Sequence, residues 1–198
     1  MQVAIVTFDG FNELDSFIAS AMINRAPGLT AYITTPTRTV TSLNGVEVLG
    51  QRPLGFVTEA DAVLVGSGIR TRDVVADRGL LDSLTLDPTR QFIGSQCSGA
   101  LVLARLGLLG SMPVCTDTTT RPWAEERGFT VLDAPFHAEG PIATAGGCLA
   151  SQYLAAWVVS RMLGDAAARD VVHYVAPVGE KDGTVRRVMT AIQAPALH

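Results

Sequence analysis

The chain is expected to fold as an α/β domain: a doubly wound, mostly parallel sheet with helices on both faces and one β-hairpin inserted. Three observations predict this. Short apolar runs such as Ala62-Val63-Leu64-Val65 and Gln91-Phe92-Ile93-Gly94-Ser95 alternate with stretches of helical periodicity, and a strand that is apolar throughout is one covered on both faces. The runs end in turns of glycine and small residues, at Phe8-Asp9-Gly10, Gly66-Ser67-Gly68 and Cys97-Ser98-Gly99. Asn44-Gly45 lies between Val40–Leu43 and Val46–Leu49, which is the strongest hairpin signal in the chain.

The elements follow in order. Gln2 to Phe8 is the first strand, and Glu13 to Arg25 the first helix, with Leu14, Phe17, Ile18, Ala21 and Met22 on one face. Ala31 to Thr35 is the next strand, followed by the hairpin from Val40 to Leu49. After Ala62–Val65 a helix is expected to run to about Leu84, and after Gln91–Ser95 an apolar helix from Gly99 to Leu109, with Arg105 its only charge. Pro122 suits a first helical turn and starts a short helix, Trp123 to Arg127. Phe136–Ala138 and Ile142–Thr144 flank Glu139-Gly140 as a hairpin or two late strands, and a helix from about Leu149 to Leu163 closes the core. No repeat or linker divides the chain, so residues 1–198 read as a single domain, in which the segment after Gly179 is an edge element or an oligomer contact.

Composition narrows the functions. Of 198 residues 47% are hydrophobic and only 17% charged, below the roughly 25% typical of soluble proteins. With a mean hydropathy of +0.29, this predicts apolar surface covered in an oligomer. The net charge is −4 and no basic cluster is present, so no nucleic-acid partner is expected. Lys181 is the single lysine and follows no phosphate-cradling glycine loop, which excludes Schiff-base and P-loop chemistry. Met1 leads directly into a strand without a basic leader, and the expected location is the cytoplasm. The uncharged run from Gly140 to Ser160 is interrupted by Pro141, Gly146-Gly147 and Ser151-Gln152, so no membrane association is expected. Cys97, Cys115 and Cys148, spaced 18 and 33 apart, form neither a disulfide framework nor a zinc set. No metal is expected.

In doubly wound sheets ligands collect at the carboxyl ends of the strands. There, Gly94-Ser95-Gln96-Cys97-Ser98-Gly99 sets a cysteine between a buried strand and a helix, the arrangement of a nucleophile elbow with sulfur in place of hydroxyl. The following helix N-terminus favours a thiolate, so Cys97 is expected to be acidic and the fast-reacting thiol. The competing reading is a small buried apolar residue. Cys115 reads as packing, in the short strand Pro113–Thr116, and Cys148 as a pocket residue at a helix start. Asp15 stands three after Asn12, the position of an N3 acid in a capping-box-like arrangement, and is also placed to reach the elbow as a proton donor. The Gly68 and Ser98 amides are candidates for an oxyanion site, with a plain tight turn the alternative at Gly66-Ser67-Gly68. His137, His173 and His198 are all remote from the elbow in sequence, His137 being the nearest to a usable partner.

These residues resemble the ThiJ/PfpI family, which has a class I glutamine-amidotransferase-like, flavodoxin-like fold. The resemblance runs from Val3 to about Leu163: Phe8-Asp9-Gly10-Phe11, Glu13-Leu14-Asp15, Val65-Gly66-Ser67-Gly68, Gln96-Cys97-Ser98-Gly99, Leu106-Gly107-Leu108-Leu109-Gly110 and Ala145-Gly146-Gly147 occur in the family's order and spacing. It implies a homodimer, and a catalytic pair of Cys97 with Asp15. The pattern is most similar to isonitrile hydratases, where a hydroxyl residue, here Ser98, follows the cysteine; the peptidase-like branch has His there. It implies an enzyme that hydrates an isonitrile to an N-substituted formamide without a cofactor, on a small-molecule site that includes Gly68, Ser98, Gly99, Asp117 and Cys148. Asp117 departs from the pattern: many relatives read Thr-Thr-His where this chain reads Cys115-Thr116-Asp117. The rival readings are a redox or ligand sensor without catalysis, and a glyoxalase or deglycase.

Overall fold

A computed structural model describes residues 1–194. Its main sheet has seven strands: β1 (Gln2–Val6), β2 (Thr30–Thr35), β5 (Arg52–Pro53), β6 (Ala62–Val65), β7 (Phe92–Gln96), β8 (Phe136–Glu139) and β9 (Ile142–Ala145). In space they run β5-β2-β1-β6-β7-β9-β8, all parallel except the β8–β9 pair. The expected hairpin forms a separate two-stranded sheet of β3 (Thr39–Thr41) and β4 (Glu47–Leu49). The helices are α1 (Glu13–Ile23), α2 (Thr71–Ala76), α3 (Arg78–Ser83), α4 (Gly99–Arg105), α5 (Arg121–Glu125), α6 (Ser151–Leu163), α7 (Asp165–Val175) and α8 (Lys181–Ile192).

The strands are apolar throughout because each face of the sheet has its own core. Val3, Ile5, Ile33 and Leu64 pack on one side with Met22, Ile23, Leu154 and Val158 of α1 and α6. Ala4, Val6, Val63 and Val65 pack on the other with Val74, Leu81, Leu101 and Val102 of α2, α3 and α4. The period of two along each strand thus divides the side chains between two helical layers. β1 lies between β2 and β6, so the chain reverses its winding direction there, and the crevice above the carboxyl ends of β1, β6 and β7 is the switch point where such sheets bind ligands.

Several elements differ from the sequence expectation. α1 ends at Ile23, and its inward face is Asp15, Ser16, Ala19, Met22 and Ile23, whereas Leu14, Phe17 and Ala21 point outward. The small residues Ser16 and Ala19 let the helix lie close to the sheet, Ser16 Oγ meeting Thr7 Oγ1 at 2.9 Å, and this rotation carries Asp15 inside. The expected helix to Leu84 breaks at Asp77, which takes extended backbone and caps α3 by accepting from the Leu80 amide. α4 stops at Arg105 because Leu106-Gly107 turns the chain, Gly107 at φ +73°. α5 starts earlier than Trp123, with Pro122 in its first turn as expected. The segment expected as an edge element or an oligomer contact after Gly179 contains, among the described residues, α8, which packs on α7, α6 and the edge strand β8. His198 lies outside the described residues.

At two glycines beside the switch point, close approach of the backbone excludes a side chain. A Cβ on Gly68 would stand 2.3 Å from the Gly10 carbonyl oxygen, and one on Gly99 would stand 2.5 Å from the Val65 and 2.8 Å from the Gly66 carbonyl oxygens. These are backbone atoms and cannot turn aside as the end of a flexible side chain could. Gly99→Ala is therefore expected to cost about 1–3 kcal/mol in urea unfolding, in the range of overpacked interiors; a cost under about 0.5 kcal/mol, typical of a surface change, would contradict the contact.

Candidate active site

The turn after β7 is held from three directions. Cys97 has φ +46°, the one non-glycine residue with positive φ among the described residues. Its amide donates to the Ala145 carbonyl at 2.8 Å, its carbonyl accepts from Thr116 Oγ1 at 2.8 Å, and Gly99 sits against the end of β6. Left-handed backbone at a non-glycine residue is strained and persists where surroundings over-determine it. The expected elbow is present, and the Ser98 amide that follows it has no acceptor among the described residues.

Cys97 opens on a cavity of about 440 Å³ that Ser67, Gly68, Ser98, Asp117, Thr120 and Cys148 also line. Leu43, Ile69 and Trp123 give it an apolar portion. Loop-to-loop bonds fix its walls: Asn12 N to Ser67 O at 2.9 Å, Ile69 N to Gly10 O at 3.0 Å and Leu43 N to Phe11 O at 2.9 Å. A larger open hollow of about 550 Å³ lies along α7 and α8 beside His173 and Lys181 and has no cysteine in its wall.

Asp15 is 3% exposed. Asn12 is the N-cap of α1 as expected, accepting from the Leu14 amide, but Asp15 does not close a capping box, because the Asn12 amide goes to Ser67 instead. Asp15 Oδ2 accepts a short hydrogen bond from Ser67 Oγ, and Oδ1 is buried without a partner. Burial raises the Asp15 pKa from its ordinary value to about 7; the Ser67 hydrogen bonds oppose the rise and the Asp117 charge adds to it. No hydrogen bond joins Asp15 to the Cys97 sulfur. The short aspartate side chain is taken by the hydroxyl at the end of β6, so the pairing implied by the family resemblance is electrostatic in this chain.

The expectation of an acidic Cys97 is overturned. Burial pushes its thiol well up, and the charges of Asp15 and Asp117 push it further, with the Gly147 backbone only partly offsetting them. α4 has seven residues, and its dipole does not outweigh the desolvation and two carboxylates. The thiol is the resting form, and a base must take its proton as the sulfur reacts.

The remaining candidates divide. The Gly68 amide is engaged, donating to Thr71 Oγ1 at 3.1 Å and to Ser98 Oγ at 3.4 Å, so of the two proposed oxyanion donors only Ser98 N–H is free. Thr71 Oγ1 donates to the Gly68 carbonyl at 2.8 Å and lies 2.7 Å from Ser98 Oγ, so the Ser98 hydroxyl proton points to Thr71. Asp117 closes the turn that leads into α5: it accepts from the Thr119 and Thr120 amides at 2.9 and 3.0 Å and from Thr120 Oγ1 at 2.7 Å. Gly99 acts through packing. Cys148 lines the cavity as expected, with Asn12 Nδ2 donating to its sulfur at 3.0 Å, and Cys115 is buried, its thiol pushed up to about 12 by desolvation. His137 is buried against Glu139, its Nε2 3.1 Å from Oε1, and lines no part of the cavity. Among the described residues no cluster suited to a metal occurs.

Sequence reasoning missed Thr71 as the hydroxyl that holds Gly68 and Ser98, and Leu43 and Trp123 as cavity residues. Thr71 carried a local signal, a hydroxyl three residues after a glycine at a helix start. Leu43 and Trp123 come from the hairpin and α5, and only the tertiary fold brings them here.

The class is thus a doubly wound α/β fold with a cysteine elbow at its switch point. Among the solved structures that share this fold are DJ-1 and ThiJ/PfpI family proteins. Schizosaccharomyces pombe DJ-1 superposes with a TM-score of 0.78 at 17% identity, over 89% of this chain and 100% of that one. A ThiJ/PfpI family protein from Pseudomonas syringae gives 0.78 at 18%, over 97% and 87%. Oxidized DJ-1 from Toxoplasma gondii gives 0.76 at 16%, over 88% and 97%. No protein-family model matches the sequence. No curated protein matches it either. No helix among the described residues is long and apolar enough to cross a membrane.

The Asp15 carboxyl holds its proton more tightly in the folded chain than in the unfolded one. Its contribution to stability is full below about pH 4 and is lost as pH rises through about 7. At about 1.4 kcal/mol per pH unit the loss is on the order of 4 kcal/mol. Urea unfolding at pH 5 and pH 8 should show the wild type losing stability across this window and Asp15→Asn losing much less; parallel slopes would place the carboxyl in contact with water.

Proposed function

We propose that the chain is a ThiJ/PfpI-type enzyme with a cysteine nucleophile, hydrating a neutral apolar isonitrile to an N-substituted formamide. The observation that carries this reading is the Cys97 sulfur on the cavity wall, beside a free Ser98 amide and near a carboxyl that titrates at about 7. A group with that pKa serves as base and acid in turn at neutral pH. No Lys, Arg or His lines the cavity, while Asp117 does, so the site disfavours anionic substrates. Leu43, Ile69 and Trp123 suit an apolar substituent.

In this scheme Asp15, as carboxylate, takes the Cys97 proton while the sulfur bonds to the terminal isocyano carbon. The proton then passes to that carbon and gives a thioimidate. Water adds to the same carbon, the carbon–sulfur bond breaks, and the thiol and the formamide leave, so one isonitrile and one water become one formamide. The Ser98 amide faces the charge that develops beside the sulfur.

A panel of aliphatic and aromatic isonitriles, followed by formamide detection, tests the reading. Cys97→Ala should abolish turnover, and Asp15→Asn should lower it by about 10²–10⁴-fold. Asp117→Asn keeps an acceptor oxygen for the turn before α5 and removes a charge that holds the thiol up, so its pH optimum should move down. No formamide from a protein whose Cys97 is intact and alkylatable rejects the activity. Methylglyoxal run in parallel, with lactate as the product sought, tests the glyoxalase alternative.

The same reading includes a homodimer. What supports it is an outward apolar face: Leu14 and Phe17 of α1 are 45% and 38% exposed, and the hairpin bonded to the start of α1 exposes Val46 and Leu49 at 45% and 59%. Light scattering at micromolar concentration should give about twice 20.9 kDa, two-fold dimers being the commonest assembly. A monomer at every concentration would exclude it.

A further inference from the structure

Two cysteines with opposite environments share the cavity wall. Cys97 is 3% exposed, whereas Cys148 is half-buried. Their backbones are tied at the carboxyl end of the sheet. Gln96 pairs with Ala145 in the parallel ladder and the Cys97 amide donates to the Ala145 carbonyl, so Cys148 follows three residues beyond the point where the two strands are bonded. The Gln96 side chain closes the remaining interval: Nε2 donates to Gly147 O at 2.6 Å and to Cys97 Sγ at 3.5 Å. One amide group thus touches both the elbow sulfur and the residue before Cys148. On the far side, Asn12 Nδ2 donates to Cys148 Sγ at 3.0 Å and fixes the sulfur's place on the wall. Cys115 has no part in this wall and is fully buried.

We propose that Cys148 is the peroxide-facing thiol of a redox pair and that it closes onto Cys97 as a reversible intrachain disulfide. The oxidant is a hydroperoxide small enough for the cavity. The Cys148 sulfur attacks its terminal oxygen: a sulfur–oxygen bond forms, the oxygen–oxygen bond breaks, and water or an alcohol leaves with the thiol proton. The Cys97 sulfur then attacks the Cys148 sulfenic sulfur, the sulfur–sulfur bond forms, the sulfur–oxygen bond breaks, and water leaves with the Cys97 proton. Two thiols are oxidised and one peroxide is reduced. The order of events follows from access. A buried thiol held in its neutral form meets external peroxide slowly, but its reaction with a sulfenic acid on the adjoining loop is intramolecular and gains from proximity. An external dithiol reverses the process. Closure takes the elbow sulfur out of use and protects it from irreversible over-oxidation.

The inference rests on the two sulfurs and not on the isonitrile reading, and its test needs no substrate. The full chain is treated with a few equivalents of hydrogen peroxide at neutral pH, alkylated without reduction and mapped by peptide mass. The expected product is a Cys97–Cys148 cross-linked peptide two hydrogens lighter than the sum of its parts, with free thiols falling from three to one and returning to three with dithiothreitol. Cys115→Ser should still form the cross-link, and Cys148→Ser should instead leave Cys97 reduced at low peroxide. Oxygen atoms added to Cys97 while Cys148 remains free, or a disulfide only between chains, would overturn the proposal. A cross-link without formamide production would leave this inference standing and remove only the hydratase.

Discussion

Everything at the site depends on one backbone turn, the left-handed residue at Cys97. The turn is imposed by neighbours and not by the residue itself: the end of β9 takes its amide, Thr116 takes its carbonyl, and the bare Cα of Gly99 leans on the carbonyls closing β6. The same three constraints aim the sulfur into the switch-point crevice and leave the Ser98 amide uncommitted. A side chain at position 99 would separate β6 from α4, and with them the walls of the cavity.

The electrostatics of the site follow from how α1 lies on the sheet. Ser16 and Ala19 are small enough to bring the helix close, and the resulting rotation buries Asp15 where an amphipathic reading would place Leu14 or Phe17. Burial raises the Asp15 pKa to about 7, and burial also pushes the elbow thiol up, with the Asp15 and Asp117 carboxylates adding to it once they are charged. Desolvation and like charge thereby outweigh the short helix that begins at the elbow. The more exposed Cys148, with an amide N–H on its sulfur, becomes the complementary thiol of the cavity.

The sequence by itself determined the architecture, because strands apolar on both faces have few places to go other than a sheet sandwiched by helices. It also marked the elbow at Cys97, Asn12 as a helix cap, the hairpin around Asn44-Gly45 and Cys148 as a cavity residue, since each is signalled by adjacent residues. Tertiary structure alone decided the partners of those residues. Asp15 lies against Ser67, fifty-two positions away. Gly68 donates to hydroxyls of α2 and the elbow, and Leu43 and Trp123 reach the cavity from the hairpin and α5. Tertiary packing also set which face of α1 turns inward, because Ser16 and Ala19 permit close approach without adding to the apolar period, which marks the face of Leu14 and Phe17 instead. And it set the charge of Cys97, because a helix start can be read from local sequence, whereas desolvation and the positions of two distant carboxylates exist only once the chain has folded around them.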